Sequence, residues 1–288
     1  MNTAFIVGID SAIGRSLENL LILNGWSVFG TSRRSSHTKS NVFYLDLANV
    51  TDLNFDIPID VVYLCAGVTK IAQCKENSAY SKLINVDAQI QLAAYFLNKN
   101  THVVCLSSNA VFSGHKPWYQ TTDKTCPKTY YGENKALVED ALLGMSKHIA
   151  IVRLTKVLTP DYPLILQWIM ALKNNLPVEP FNDLSLCPIS IYTVAQCLKE
   201  IGDKKLEGII HLSGSIDVTY LDVAEYLAKL INARKGLIKE ISMLCSNEIM
   251  MDASLYTSLD ITKSKQLFDV FDTSFATTMN CLYGDFNR

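Results

Sequence analysis

The chain has no surplus of either charge: 26 Lys and Arg stand against 28 Asp and Glu, a formal net charge of −2. A surface built for nucleic acid or an anionic membrane needs a basic surplus, so neither partner is expected. No 18-residue apolar run occurs, and no basic segment leads into one. Neither a transmembrane helix nor a secretory leader is therefore expected. The eight cysteines (65, 74, 105, 126, 187, 197, 245 and 281) form no C-x-x-C pair, and the five histidines no H-x-x-x-H. That argues against a zinc site or a disulfide framework. Cys65 in "VVYLCAG" and Cys105 in "HVVCLSS" sit inside apolar runs. The cysteines read as reduced core thiols of a cytoplasmic protein. Internal repeats and low-complexity tracts are also missing.

What the sequence does have is hydrophobic content, 49% of 288 residues with 19% charged, enough for a sizeable core. "AFIVGI", "SVFGTS", "NVFYLDL", "DVVYLCA", "HVVCLSS" and "IAIVRL" are continuous apolar runs rather than alternating ones. Such runs fit strands buried on both faces of a parallel sheet. Helical patterns lie between several of them: "GRSLENLLILNG", closing at Gly25, "NSAYSKLINVDAQIQLAAYFLNKN" and "KTYYGENKALVEDALLGMSK". The alternation predicts an α/β fold, a Rossmann-type doubly wound parallel sheet with right-handed crossovers. Beyond residue 155 the rhythm loosens. "TPDYPLI" and "NNLPVEPFNDLSLCP" hold most of the prolines and read as loops, and "VTYLDVAEYLAKLINARKG" as a helix. Residues 1–155 are expected to form the nucleotide-binding domain. Residues 156–288 are expected to form mainly a smaller substrate lobe, with some segments returning to the sheet.

The turn "GIDSAIG" places Gly8 and Gly14 between a strand and a helix, the context a dinucleotide-binding turn requires. Glycine there tolerates positive φ and lets amides approach a pyrophosphate, which the helix N-terminus also favours. Ser11, Ala12 and Ile13 would line the same turn. Ser11 stands where the usual fingerprint has glycine, and its hydroxyl can donate to a phosphate; Asp10 would repel one unless it points away. The second strand ends in Ser32, Arg33 and Arg34 instead of an acidic residue. Guanidinium pairs with a 2′-phosphate, so NADP(H) is preferred, with NAD(H) the alternative. Asp46 and Leu47 in "YLDL", and Cys65, Ala66 and Gly67 in "LCAG", fall at the ends of the third and fourth strands, where such sheets take ligand.

Tyr131 and Lys135 in "YYGENK" lie four apart on a predicted helix and share a face. A tyrosine hydroxyl ordinarily titrates near pH ~10, and a neighbouring ammonium lowers that value. Tyr131 can then exchange a proton with a substrate oxygen while a nicotinamide exchanges hydride. Ser108, at the end of the fifth strand in "CLSSNAVF", would hydrogen-bond the same oxygen. His115, Trp118 and Tyr119 in "SGHKPWYQ" either border the substrate or form a surface loop. Arg153 reads as a structural contact, and nothing separates Lys70 from Lys156 as a partner for phosphate.

In order and spacing, "GIDSAIG", "SRR", "LDL", "CAG", "INVD", "LSSNAVF", "YYGENK" and "PISIYTVAQCL" resemble the extended short-chain dehydrogenase/reductase family, in its nucleotide-sugar branch. The resemblance implies a Ser108–Tyr131–Lys135 triad, with Lys135 also holding the nicotinamide ribose and Asn85 beside the site. It implies a nucleotide-sugar substrate, a substrate half containing "PISI" and "HLSG", and a homodimer face on the helices flanking the fourth and fifth strands. The dehydratases of this family carry Asp-Glu after the active-site Ser or Thr, and the dehydrorhamnose reductases Asp-Tyr; here Asn109 and Ala110 follow. Dehydration is disfavoured, and 4-ketoreduction and 4-epimerisation both stay open. A non-catalytic NADP-binding sensor or scaffold, and a reductase of a non-sugar carbonyl, are the rival readings.

Overall fold

Unbroken apolar strands must be covered on both faces, and the structure, a computed structural model describing residues 2–34, 40–51, 53–243, 254–269 and 271–287, covers them so. The strands are β1 (Thr3–Val7), β2 (Ser27–Ser32), β3 (Val42–Tyr44), β4 (Val61–Leu64), β5 (His102–Ser108) and β6 (Ile149–Leu154). Then come β7 (Lys156–Leu158), β8 (Ser185–Leu186), β9 (Pro188–Ser190), β10 (Gly208–Leu212) and β11 (Val218–Thr219). The helices are α1 (Ala12–Leu23), α2 (Ile71–Glu76), α3 (Ser78–Lys82), α4 (Ala88–Leu97) and α5 (Tyr130–Met145). They continue with α6 (Pro163–Lys173), α7 (Ile191–Asp203), α8 (Tyr220–Leu230), α9 (Thr262–Leu267) and α10 (Phe275–Tyr283).

Seven strands form one parallel sheet in the order β10-β6-β5-β4-β1-β2-β3. The chain winds outward from β1 in both directions, and the order reverses between β1 and β4. Side chains alternate across the pleat, so Ile6 faces α1 and α7 while Phe5 and Val7 face α4 and α5. Leu17 and Leu21 of α1 meet Val194, Leu198 and Ile201 of α7 on one face. Leu92 and Phe96 of α4 meet Val138 and Leu142 of α5 on the other. Each such fully buried side chain contributes about 2 kcal/mol. A third core joins α6, α8 and α10 through Trp168, Ile169, Leu227 and Met279.

The six apolar runs all form strands of this sheet, and the helical patterns between them form helices. Four details refine the sequence reading. The "HLSG" region supplies β10, which pairs with β6 at the sheet edge, and α7 packs on α1, so both belong to the main sheet's structure. The proline of "TPDYPLI" does not prolong a loop but opens α6, because its fixed φ suits the first helical turn. β3 stops at Tyr44, leaving Asp46 two residues beyond it. Finally, Cys126 and Cys281 are exposed rather than core thiols, whereas Cys74, Cys105, Cys187 and Cys197 are buried; Cys245 lies outside the described residues.

Candidate active site at the carboxyl edge of the sheet

The turn after β1 is shaped by two close approaches. Gly8 has φ +81°, and a Cβ there would stand 2.7 Å from the Ala66 Cβ. Gly14 is buried, and a side chain on it would overlap the Gly8 carbonyl. The Gly8 amide is held by the Thr31 carbonyl at 3.2 Å, and that of Ile9 at 3.0 Å. Ser11 caps α1 by accepting from the Gly14 N–H at 3.0 Å, so its own hydroxyl hydrogen remains available to donate. The amides of Ala12 and Ile13 head the helix, where the first N–H groups have no intrahelical acceptor. Ala12 is exposed, and Ile13 is half-buried against the cores. Gly8 ahead of the open helix amides and Gly14 within the first helical turn, each admitting only hydrogen, fit a pyrophosphate. Asp10 does point away: it accepts from Ser32 Oγ at 3.1 Å and pairs with Arg34 Nε at 3.4 Å. Arg33 and Arg34 are both exposed at the end of β2.

Further along the sheet edge, Asp46 accepts from the Ala48 amide at 3.0 Å, and Leu47 buries its side chain beside Phe5 and Val7. Cys65 and Ala66 are half-buried and Gly67 exposed at the end of β4. Burial, then the neighbouring Cys105 thiol, pushes the Cys65 thiol up to about 12, and the Lys135 ammonium works against this. Burial pushes the Cys105 thiol up to about 11, and the same ammonium, whose Nζ donates to Leu106 O, opposes that rise.

Asn85, 1% exposed, sits on a π-helical turn, Leu83–Asp87, between α3 and α4. Such turns recur at functional sites. Its amide grips the Val68 backbone at both ends: Oδ1 accepts from Val68 N, and Nδ2 donates to Val68 O, each at 2.8 Å. Gln89 adds a bond from Nε2 to Ala66 O at 3.1 Å. Ser81 links this group to α5, accepting from Asn134 Nδ2 at 2.8 Å.

At the end of β5, Ser108 is buried and its Oγ accepts from the Ala110 amide at 3.1 Å. The Ala110 carbonyl presses on Gly132, where any side chain would overlap it. Thr129 caps α5 by accepting from the Gly132 N–H at 3.1 Å. The first turn of α5, with half-buried Tyr131, is therefore seated against the Ser108 end of the strand. One turn further, Lys135 is 7% exposed and donates from Nζ to Leu106 O at 2.7 Å. Ser108, Lys135 and the helical turn that carries Tyr131 share this one strand–helix seam. Tyr130 is 48% exposed.

Of the loop residues, Tyr119 is buried and stacked on Phe112, centroids 4.2 Å apart, while Trp118 and His115 are exposed. Lys70 is exposed. Lys156 is half-buried, with Nζ 5.0 Å from the Tyr162 ring centre. Burial works to lower its pKa, but a hydrogen bond to Tyr162 and the charge of two phenols hold it above the ordinary lysine value. The residues missed from sequence are those that bind side chain to frame: Thr31, Ser81, Gln89, Ser107, Asn134 and Glu139. Among the described residues no cluster of metal ligands occurs, and no helix is long and apolar enough to cross a membrane.

The family model described as RmlD substrate binding domain matches residues 1–286. The dTDP-4-dehydrorhamnose reductase of Aggregatibacter actinomycetemcomitans is 27% identical over 291 residues, spanning 94% of each chain. Methionine adenosyltransferase 2 subunit beta of Pongo abelii is 22% identical over 256 residues, 82% of this chain and 74% of that one. The crystal structure of dTDP-4-dehydrorhamnose reductase from Bacillus anthracis in complex with NADP superposes with a TM-score of 0.83, at 16% identity and 99% coverage of both chains, and so shares the fold. With the match running through phosphate turn, strand–helix seam and C-terminal helices alike, the chain belongs to the RmlD substrate binding domain family.

Proposed function

We propose that this protein is an NADP(H)-dependent reductase of a keto group on a nucleotide-activated sugar. The observation that carries the reading is the seam in which Ser108, the first turn of α5 and the Lys135 ammonium meet at the end of β5. Bound NADPH supplies the hydride that adds to the ring carbon. Tyr131 gives its proton to the carbonyl oxygen, so that C=O becomes CH–OH. Ser108 holds that oxygen, and the Lys135 ammonium stabilises the phenolate left on Tyr131. Gly8, Ser11, Ala12, Ile13 and Gly14 take the pyrophosphate, and Ser32, Arg33 and Arg34 the 2′-phosphate. Asp46, Leu47, Cys65, Ala66, Gly67 and Asn85 border the cofactor from the neighbouring strand ends. Lys135 also reaches the nicotinamide ribose. Retention of the cofactor through purification would turn the reading from reduction to 4-epimerisation, since an epimerase regenerates its cofactor each cycle.

A second reading is favoured by the relatives named methionine adenosyltransferase 2 subunit beta: a non-catalytic binding subunit of the same fold. Incubation with dTDP-4-dehydrorhamnose, following loss of NADPH absorbance, separates the two. Turnover by the wild type, lowered about 10²–10⁴-fold in Tyr131→Phe with NADPH binding intact, supports the enzyme. NADPH binding without turnover of this or other keto sugar nucleotides favours the subunit.

A further inference from the structure

The most enclosed charges in the fold lie next to the seam. Glu139 of α5 and Arg153 of β6 are each 2% exposed and meet in a forked pair: Arg153 Nε lies 3.1 Å from both Glu139 oxygens, and Nη2 2.6 Å from Oε2. Ser107, beside Ser108 and in register with Arg153, donates its hydroxyl to Glu139 Oε1. The remaining Arg153 nitrogen, Nη1, lies 3.3 Å from His211 Nε2, and His211 Nδ1 lies 3.1 Å from Asp260 O. The guanidinium also covers the Phe112 ring at 4.9 Å.

Taking two charges out of water costs several kcal/mol per ion, and an apolar pair of equal volume is often as stable or more so. Stability alone therefore does not explain this pair. Its placement offers another role. Tyr131, Lys135 and Glu139 follow at four-residue intervals along α5 and lie on one face of it. Ser107 and Lys135 both bind α5 to β5, the first through Glu139 and the second through the Leu106 carbonyl. The fork to β6 and the Ser107 bond to β5 together fix rotation and height of the helix against two strands, which a point contact cannot do.

We propose that Glu139 and Arg153 are positioning residues, holding Tyr131 and Lys135 in register with Ser108. This rests on the proposed function above. The experiment compares wild type, the apolar double variant Glu139→Leu/Arg153→Met, and Ser107→Ala, which removes the strand's anchor but leaves the ion pair. Thermal unfolding, NADPH affinity by fluorescence, and kcat and KM with dTDP-4-dehydrorhamnose are measured on each. The double variant is expected to stay folded, to lose about 10²-fold in kcat with KM within a few-fold, and to bind NADPH several-fold more weakly as Lys135 shifts. Ser107→Ala is expected to show the same kcat-against-KM split, at several-fold, with little change in unfolding temperature. A double variant that folds with unchanged kcat and NADPH affinity overturns the proposal. If the double variant does not fold, an unchanged kcat in Ser107→Ala overturns it instead. Failure of the wild type to bind NADPH is a different result: it overturns the proposed function, and the positioning role with it.

Discussion

Gly8 and Gly25 have nearly the same backbone, φ +81° and +80°, but differ in surroundings. A Cβ at Gly25 meets nothing within 4 Å; one at Gly8 meets the Ala66 Cβ at 2.7 Å and its Cα at 2.9 Å. Replacing each by alanine therefore separates conformational cost from steric cost. The left-handed conformation costs an L-residue roughly 1–2 kcal/mol, which is all Gly25→Ala is expected to lose. Gly8→Ala adds the overlap with backbone-anchored atoms that have no flexible end to swing aside. Overpacking of this kind costs about 1–3 kcal/mol, giving a total of about 2–5 kcal/mol. For a chain of 288 residues the unfolding entropy is about 0.6 kcal/mol/K, so each kcal/mol moves Tm by roughly 1.7 °C. Calorimetry should find Gly25→Ala lower by about 2–3 °C and Gly8→Ala by about 3–8 °C. NADPH affinity should be unchanged in the first and more than about tenfold weaker in the second, whose phosphate turn must move. Equal Tm losses in the two variants would refute the close approach of turn and β4, and with it the reason for glycine at position 8.

Acid should weaken the fold in a defined window. Burial and the Arg153 charge lower the His211 pKa from 6.5 to about 4, so on acidification the unfolded chain takes up this proton first. The stabilisation is complete above pH 6.5 and is lost as pH falls from 6.5 toward 4. It amounts to about 3 kcal/mol, or roughly 5 °C in a pH series of melting curves, and His211→Gln should flatten that series. Buried His102, its pKa lowered chiefly by desolvation, adds in the same direction and should keep part of the slope in that variant. Asn85→Ala strips two 2.8 Å bonds from the Val68 backbone and should cost about 2–4 kcal/mol in urea unfolding; a loss below about 1 kcal/mol would mean the loop re-pairs. A thiol reagent on the native protein should modify exposed Cys126 and Cys281 but spare Cys187, whose thiol burial pushes up to about 12; mass mapping of labelled peptides decides this.

The strands and the seam were legible because each rests on local pattern: unbroken apolar runs, glycines six apart, and a tyrosine and lysine one turn apart. The frame around the seam was less legible because its bonds span distant segments. Asp10 looked wrong for a phosphate turn until Ser32 and Arg34, more than twenty residues on, turned it aside. Asn85 and Gln89 hold a loop about twenty residues before them, and no spacing rule announces that. Arg153 is different, since its signal was present in "IAIVRL". A strand buried on both faces has no route to water for a guanidinium, so the sequence demanded a buried carboxylate as partner. Glu139, flanked by Val138 and set four residues after Lys135, was the carboxylate on the inward stripe of the adjoining helix. A charge inside an apolar run is thus a long-range constraint. Here that constraint pairs α5 with β6 through Glu139 and Arg153, and Ser107 of β5 joins the same carboxylate.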